Sequence, residues 1–206
     1  MTGGALIDEV LRILQEPSVT RADALAWLQR GANDISARVL LPALEARGEV
    51  TAMPDSVSVP LPADYQRGLF RATDLQGWPK LVLNGNDRLR HAYSPNGLKV
   101  RGVVAAPPLL QYAPSPTEPE RIVLYYYKRP MVDEDAEVDF LPADYSRLLV
   151  HFAAWQGFSL IEQGLEAQKP DTQYHKQEYT EGLELLRLYI REGESLPVPP
   201  LARCIW

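Results

Sequence analysis

Proline restricts the folding choices of this chain more than any other residue. Eighteen of its 206 residues are proline, clustered between Pro54 and Pro130 and again after Pro197. Proline lacks a backbone N–H and clashes with the preceding helical turn. The first cluster therefore predicts short strands and turns, and the second predicts an extended arm. Helices belong outside them. One pentapeptide, Leu61-Pro62-Ala63-Asp64-Tyr65, returns as Leu141-Pro142-Ala143-Asp144-Tyr145. The two copies are expected to bracket the β-rich middle, each with its proline early in a helical turn and its tyrosine packed back. They read either as a capping motif used twice or as two points where the chain crosses between sheet and helices.

The outer stretches carry helical periodicity. Leu6, Ile7, Val10, Leu11 and Leu14 share a helical face, and Pro17 stops that helix. Thr20 and Asp23 have the spacing of a capping box. Behind them Leu25, Leu28, Ala32, Ile35 and Val39 form a 3-4-3-4 stripe, which reads as core, or as a subunit interface. Pro42 kinks or ends this helix and Gly48 closes the segment. Beyond the second pentapeptide, Leu148, Leu149, Phe152, Trp155, Gln156 and Leu160 predict a helix ended by Pro170. Asp171 then caps a last helix carrying Tyr179, Leu183, Leu186, Tyr189 and Ile190, closed by Gly193.

Between them the period shortens. Val57, Val59 and Leu61 alternate with Ser58 and Pro60. Gly68 to Thr73 and Lys80 to Leu83 are weaker strands around a Gln76-Gly77-Trp78-Pro79 turn. Asn84-Gly85-Asn86-Asp87 is a strong turn signal. Leu98 to Val103 alternates again, Pro107 to Pro119 predicts a loop, and Arg121 to Lys128 is the clearest strand. Strands so close in sequence predict antiparallel pairing. The expected architecture is α+β: a helical bundle scaffold with an inserted antiparallel β region and an extended C-terminal arm. The segments are 1–48 (N-terminal helices), 49–140 (β-rich insert), 141–193 (C-terminal helical pair) and 194–206 (arm).

Chemistry is hard to find. A net charge of −6 argues against a general nucleic-acid binder, which needs clustered cations. A single cysteine, Cys204, excludes an internal disulfide and a Cys-rich zinc site, and only Arg203 stands near to activate it. His91, His151 and His175 lack metal-ligand spacing, so no metal is expected, and His151 reads as packing. Neither a phosphate-binding glycine loop nor a nucleophile elbow occurs, so no cofactor and no enzymatic activity are expected. Acids within the N-terminal apolar run argue against a signal peptide, and no run suits a membrane span. Asp133, Glu134, Asp135, Glu137 and Asp139 form an acidic run without the glycine and spacing of an EF-hand, which reads as a solvated loop. Tyr125-Tyr126-Tyr127-Lys128-Arg129 mixes aromatic and basic groups as nucleic-acid surfaces do. In a strand these tyrosines alternate faces, which favours sheet packing.

The order of these features resembles the head-to-tail adaptor (connector) proteins of tailed bacteriophages. The resemblance runs from N-terminal helices with Trp27 and Asn33, through VSVPLPADYQRGLFRATD, to the strand VLYYYKRP. It continues through the acidic loop into LPADYSRLLVHFAAWQGFSLIEQ and the last helix after Tyr174. The Pro-rich arm ending in Trp206 departs from that pattern.

The resemblance implies a structural virion protein made in the host bacterial cytoplasm and placed at the neck. There it forms a ring, commonly twelvefold, below the portal protein ring. It receives the tail or the next neck protein and lets double-stranded DNA through without sequence-specific binding. Such a ring closes through a heterologous interface. In this setting Asp133, Glu134, Asp135, Glu137 and Asp139 are candidates for a channel or interface surface, where acids repel phosphates. Leu196, Val198, Leu201, Ile205 and Trp206 are candidate anchors on an arm that docks on a neighbouring subunit or on the portal. Another neck or tail ring, a stopper or terminator, is the alternative, and a cell-wall hydrolase a more distant one.

Overall fold

The computed structural model describes residues 1–83, 99–162 and 170–195. Chain contacts divide them into two units, Met1–Ala43 with Pro130–Trp206, and Leu44–Arg129.

The first unit holds four helices. Helix α1 (Gly3–Leu14) is capped by Thr2, whose hydroxyl accepts from the Ala5 N–H at 3.3 Å, and ends on Gln15 in the left-handed region. Leu6, Ile7, Val10 and Leu14 of the predicted face are buried. Helix α2 (Arg21–Arg38) opens on the full capping box of Thr20 and Asp23. It ends well before Gly48. Pro42 disfavours a helical Leu41, and Pro42–Leu44 form only a short 3-10 turn. Helix α3 (Arg147–Ile161) packs against α1, α2 and the last helix, α4 (Pro170–Ser195). Pro170 opens α4 instead of ending α3, because its missing N–H costs nothing in a first turn. Gly193 lies inside α4 and does not close it.

The second unit is a seven-stranded, nearly closed sheet: β1 (Glu45–Ala52), β2 (Ser58–Pro60), β3 (Tyr65–Asp74), β4 (Pro79–Val82), β5 (Gly102–Ala106), β6 (Leu109–Ala113) and β7 (Glu120–Lys128). The order is β1-β7-β3-β4-β5-β6-β2. Its ends, β1 and β2, are consecutive in sequence. At the end of β1 the Tyr112 hydroxyl of β6 donates to the Met53 carbonyl at 3.3 Å and accepts from the Met53 N–H at 3.1 Å. Val50, Ala72, Val103, Leu110, Leu124 and Tyr126 are among the side chains that fill the interior. Lys80 and Glu120 form a nearly buried ion pair at 2.6 Å, and both also bond the backbone of Val100.

Two strand expectations change, and a third is not tested. The sheet is not wholly antiparallel, since β4 and β5 pair in parallel. That pairing needs a long crossover, and the connection runs from Leu83 to Arg101. The predicted turn at Asn84–Asp87 lies outside the described residues. The Pro107–Pro119 loop contains β6, because Leu109–Ala113 is free of proline and pairs with both β5 and β2.

The repeated pentapeptide makes the same turn twice. The Tyr65 N–H donates to the Pro62 carbonyl at 2.9 Å, and the Tyr145 N–H donates to the Pro142 carbonyl at 2.8 Å. The continuations differ. The first turn leads into β3, which pairs with β7, and the second leads through a 3-10 turn (Ala143–Tyr145) into α3. The copies therefore do not bracket the strands, and the first does not mark a crossing from sheet to helix. Each tyrosine packs back on a second tyrosine, Tyr65 on Tyr126 at 5.4 Å and Tyr145 on Tyr189 at 5.5 Å.

Candidate functional site

The acidic run lies in the first unit, clasped to the start of α1 by its backbone. The Gly3 N–H donates to the Ala136 carbonyl at 3.0 Å, and the Gly4 N–H donates to the Glu134 carbonyl at 2.8 Å. These are orphan donors of a helix N-terminus, so the loop completes α1. The Val138 N–H returns a bond to the Met1 carbonyl at 3.0 Å. Gln29 of α2 holds the loop's other end, with its amide donating to Pro130 O and accepting from Val132 N, both at 2.9 Å. Gly3 is required here: a Cβ at this position would sit 2.1 Å from the Asp133 carbonyl oxygen.

This anchoring decides where the acids go. Val132, Val138 and Phe140 turn inward, while Asp133, Asp135, Glu137 and Asp139 are exposed and Glu134 is half-buried. Glu134 pairs with Arg21 at 3.1 Å, and Arg21 also bonds Asp8. Both hydrogen bonds raise the guanidinium pKa above its ordinary value. The result is a display of four solvent-facing carboxylates on a tethered backbone. Such a surface repels phosphates and attracts cationic partners. Among the described residues no three His, Cys, Asp or Glu side chains converge to hold a metal ion.

The arm anchors Leu196, Val198, Leu201, Ile205 and Trp206 lie outside the described residues, as do Cys204 and His91. Next to the point where the described chain ends is an apolar groove of about 720 Å³. Leu41, Phe140, Leu141, Pro142, Tyr189 and Ile190 contribute its walls, and Asp139 stands among the lining residues. The sequence showed Tyr189 and Ile190 only as periodic apolar positions. The same pattern serves core and groove, and only packing separates them. Helix α4 also carries a second apolar face. Leu185, Leu188 and Tyr189 are 59%, 53% and 54% exposed, whereas Tyr179, Leu183 and Leu186 are buried.

Two further clusters emerge from the fold. His151 of α3 and His175 of α4 bring their Nδ1 atoms to 3.1 Å, and Phe158 stacks on His175. Burial pushes both imidazoles below their ordinary pKa, and the neighbouring His151 lowers His175 further. Sequence reading gave His151 a packing role but could not pair it across helices. In β7 the tyrosines alternate as expected. Tyr126 is buried in the sheet interior, while Tyr125 and Tyr127 meet Phe70 on the other face and Arg71 lies over Tyr125 at 5.1 Å.

Among the described residues no helix is long and apolar enough to cross a membrane. A search among curated proteins finds no match. The profile of the SU10 adaptor protein family matches residues 1–200, from α1 through α4 and beyond. The chain belongs to the SU10 adaptor protein family, a family of phage head-to-tail adaptors, and so to the structural proteins of the virion neck.

Proposed function

We propose that this protein assembles as a ring, twelvefold by the pattern of such adaptors, beneath the portal and coaxial with it. The helical unit serves as the scaffold and the sheet as its insert. The tail or the next neck protein is received on the far side, and double-stranded DNA passes through the channel. The observation that carries this reading is the family match over nearly the whole chain. Two surface features support it. The second apolar face of α4 leaves Leu185, Leu188 and Tyr189 in water, as an uncovered subunit contact does. The four exposed carboxylates suit a channel or interface wall that must not adhere to passing phosphates. The arm, with Leu196, Val198, Leu201, Ile205 and Trp206, adds anchors toward a neighbour or the portal.

Native mass spectrometry of the protein alone and mixed with the portal ring of its own phage tests this. Binding to the portal in ring stoichiometry is the expected result. Failure to bind under conditions that preserve the portal ring would reject the position beneath the portal.

A further inference from the structure

The groove at the end of α4 is open, apolar and without an occupant among the described residues. We propose that it receives the C-terminal segment of a second copy of this chain, with Leu201, Ile205 and Trp206 seated against Tyr189, Ile190 and Phe140. The inference deepens the ring reading above and rests on it, because it needs a neighbouring subunit.

Three observations select this occupant. The first is chemical match. The groove walls are Leu, Pro, Phe, Tyr and Ile side chains, and residues 196–206 read LPVPPLARCIW, nearly all apolar. Proline-bearing segments dock well in aromatic-lined grooves, since little backbone freedom is left to lose. The second is charge. The charged side chains of the groove are the carboxylates of Asp139 and Glu192, and the segment's only charged side chain is Arg203. Two carboxylates favour an apolar segment that also carries a positive charge.

The third observation separates a neighbour's segment from the chain's own. Gly193 lines the groove, and the described chain ends two residues later at Ser195. Pro197, Pro199 and Pro200 follow at once. Prolines so spaced favour an extended path of about 3.1 Å per residue, so residues 196–201 can span roughly 19 Å. That reach is longer than the chain's own groove calls for, since Gly193 already lines it, and it suits the groove of a second copy. A second copy's groove can receive the anchors head to tail, which is the heterologous contact that closes rings.

Complementary full-length variants test the idea. Ile205→Asp with Trp206→Asp disables the segment and leaves the groove. Tyr189→Arg disables the groove, opposes Arg203 and leaves the segment; Tyr189 is exposed, so the fold should hold. As a check on folding, both variants should melt like the parent by circular dichroism. Sedimentation velocity is then run on each variant and on their equimolar mixture. Each variant alone should sediment as one chain. The mixture should form a two-chain species that cannot grow, because it contains one working segment and one working groove. A mixture that stays monomeric overturns the proposal, as does either variant associating like the parent. Docking of the segment in its own chain's groove would give that monomeric mixture. Portal binding is measured separately. Two-chain complexes from a protein that ignores the portal would sink the adaptor position and keep the groove assignment. Portal binding without them would do the reverse.

Discussion

Tyr126 donates its phenolic proton to Asp64 Oδ1 at 2.6 Å, joining the tyrosine-rich strand to the first LPADY turn across 62 residues of sequence. Burial and the carboxylate together raise the phenol's pKa well above its ordinary value, so it stays a donor at any working pH. The Asp64 backbone carbonyl also accepts from the Arg129 N–H at 2.8 Å. Asp144, the same residue in the second copy, is exposed like Asp64 but accepts no tyrosine hydroxyl among the described residues. Tyr126→Phe should therefore cost about 1.5–3 kcal/mol, the range for hydrogen bonds to charged groups. Asp144→Asn should change stability by less than about 0.5 kcal/mol. Urea titrations of the two variants check this, and equal midpoints would show that the Tyr126–Asp64 bond adds no measurable stability.

Gly3 and the Asp133 carbonyl approach too closely for any side chain at position 3. We predict that Gly3→Ala loosens the acidic loop from α1. Gly4→Ala, whose Cβ would sit 3.1 Å from the Glu134 carbonyl, should be milder. Hydrogen exchange at residues 134–138 should quicken in the first variant much more than in the second. Unchanged exchange in Gly3→Ala would contradict the close approach.

The Lys80–Glu120 pair occupies low-dielectric surroundings, with side chains only 6% and 11% exposed. Removing one member strands the other's charge. Lys80→Met alone should cost about 3–5 kcal/mol, while Lys80→Met with Glu120→Leu should recover most of that loss. The double variant still leaves the Val100 N–H without its Glu120 partner, so full recovery is not expected. If the single and double variants unfold at the same denaturant concentration, the charge argument fails.

His151 and His175 predict a sign for the pH response. One ring must donate and the other accept across their 3.1 Å contact, so the pair has no room for two protons there. Burial lowers both pKa values first. Glu178 and Glu9 oppose this at His151, and Asp171 and Glu178 oppose it at His175, while Arg147 adds to the lowering at His151. The unfolded chain thus binds protons at a higher pH than the folded one. Stability should be full above about pH 6.5 and fall as pH drops through that value, down to the depressed folded pKa values. Melting temperature against pH, compared with a His151→Gln, His175→Gln variant, measures this. Parallel curves over that window would mean that the pair binds protons equally in the folded and unfolded chains.

Local chemistry determined much of this protein before any tertiary contact. Thr20 and Asp23 dictate a helix start because their hydrogen bonds are made within four residues. Proline removed helix from the middle, and the alternation in Arg121–Lys128 set one tyrosine inward and two outward, because side chains in a strand have a period of two. The LPADY turns were equally legible, since each closes on its own Pro carbonyl. What followed each turn was not. Tyr65 enters a strand because β7 lies beside it, and Tyr145 leads to a helix because an apolar stripe downstream finds α1, α2 and α4. A strand needs a partner that sequence does not name. The same holds for the parallel β4–β5 pair, for the ion pair of Lys80 with Glu120, and for His151 meeting His175. The acidic run was obvious as composition, but its attachment to α1 rests on backbone carbonyls that any residue possesses. An apolar residue looks alike whether it fills a core or lines a groove, so only the packed structure separated Leu149 in the core from Tyr189 in the groove wall.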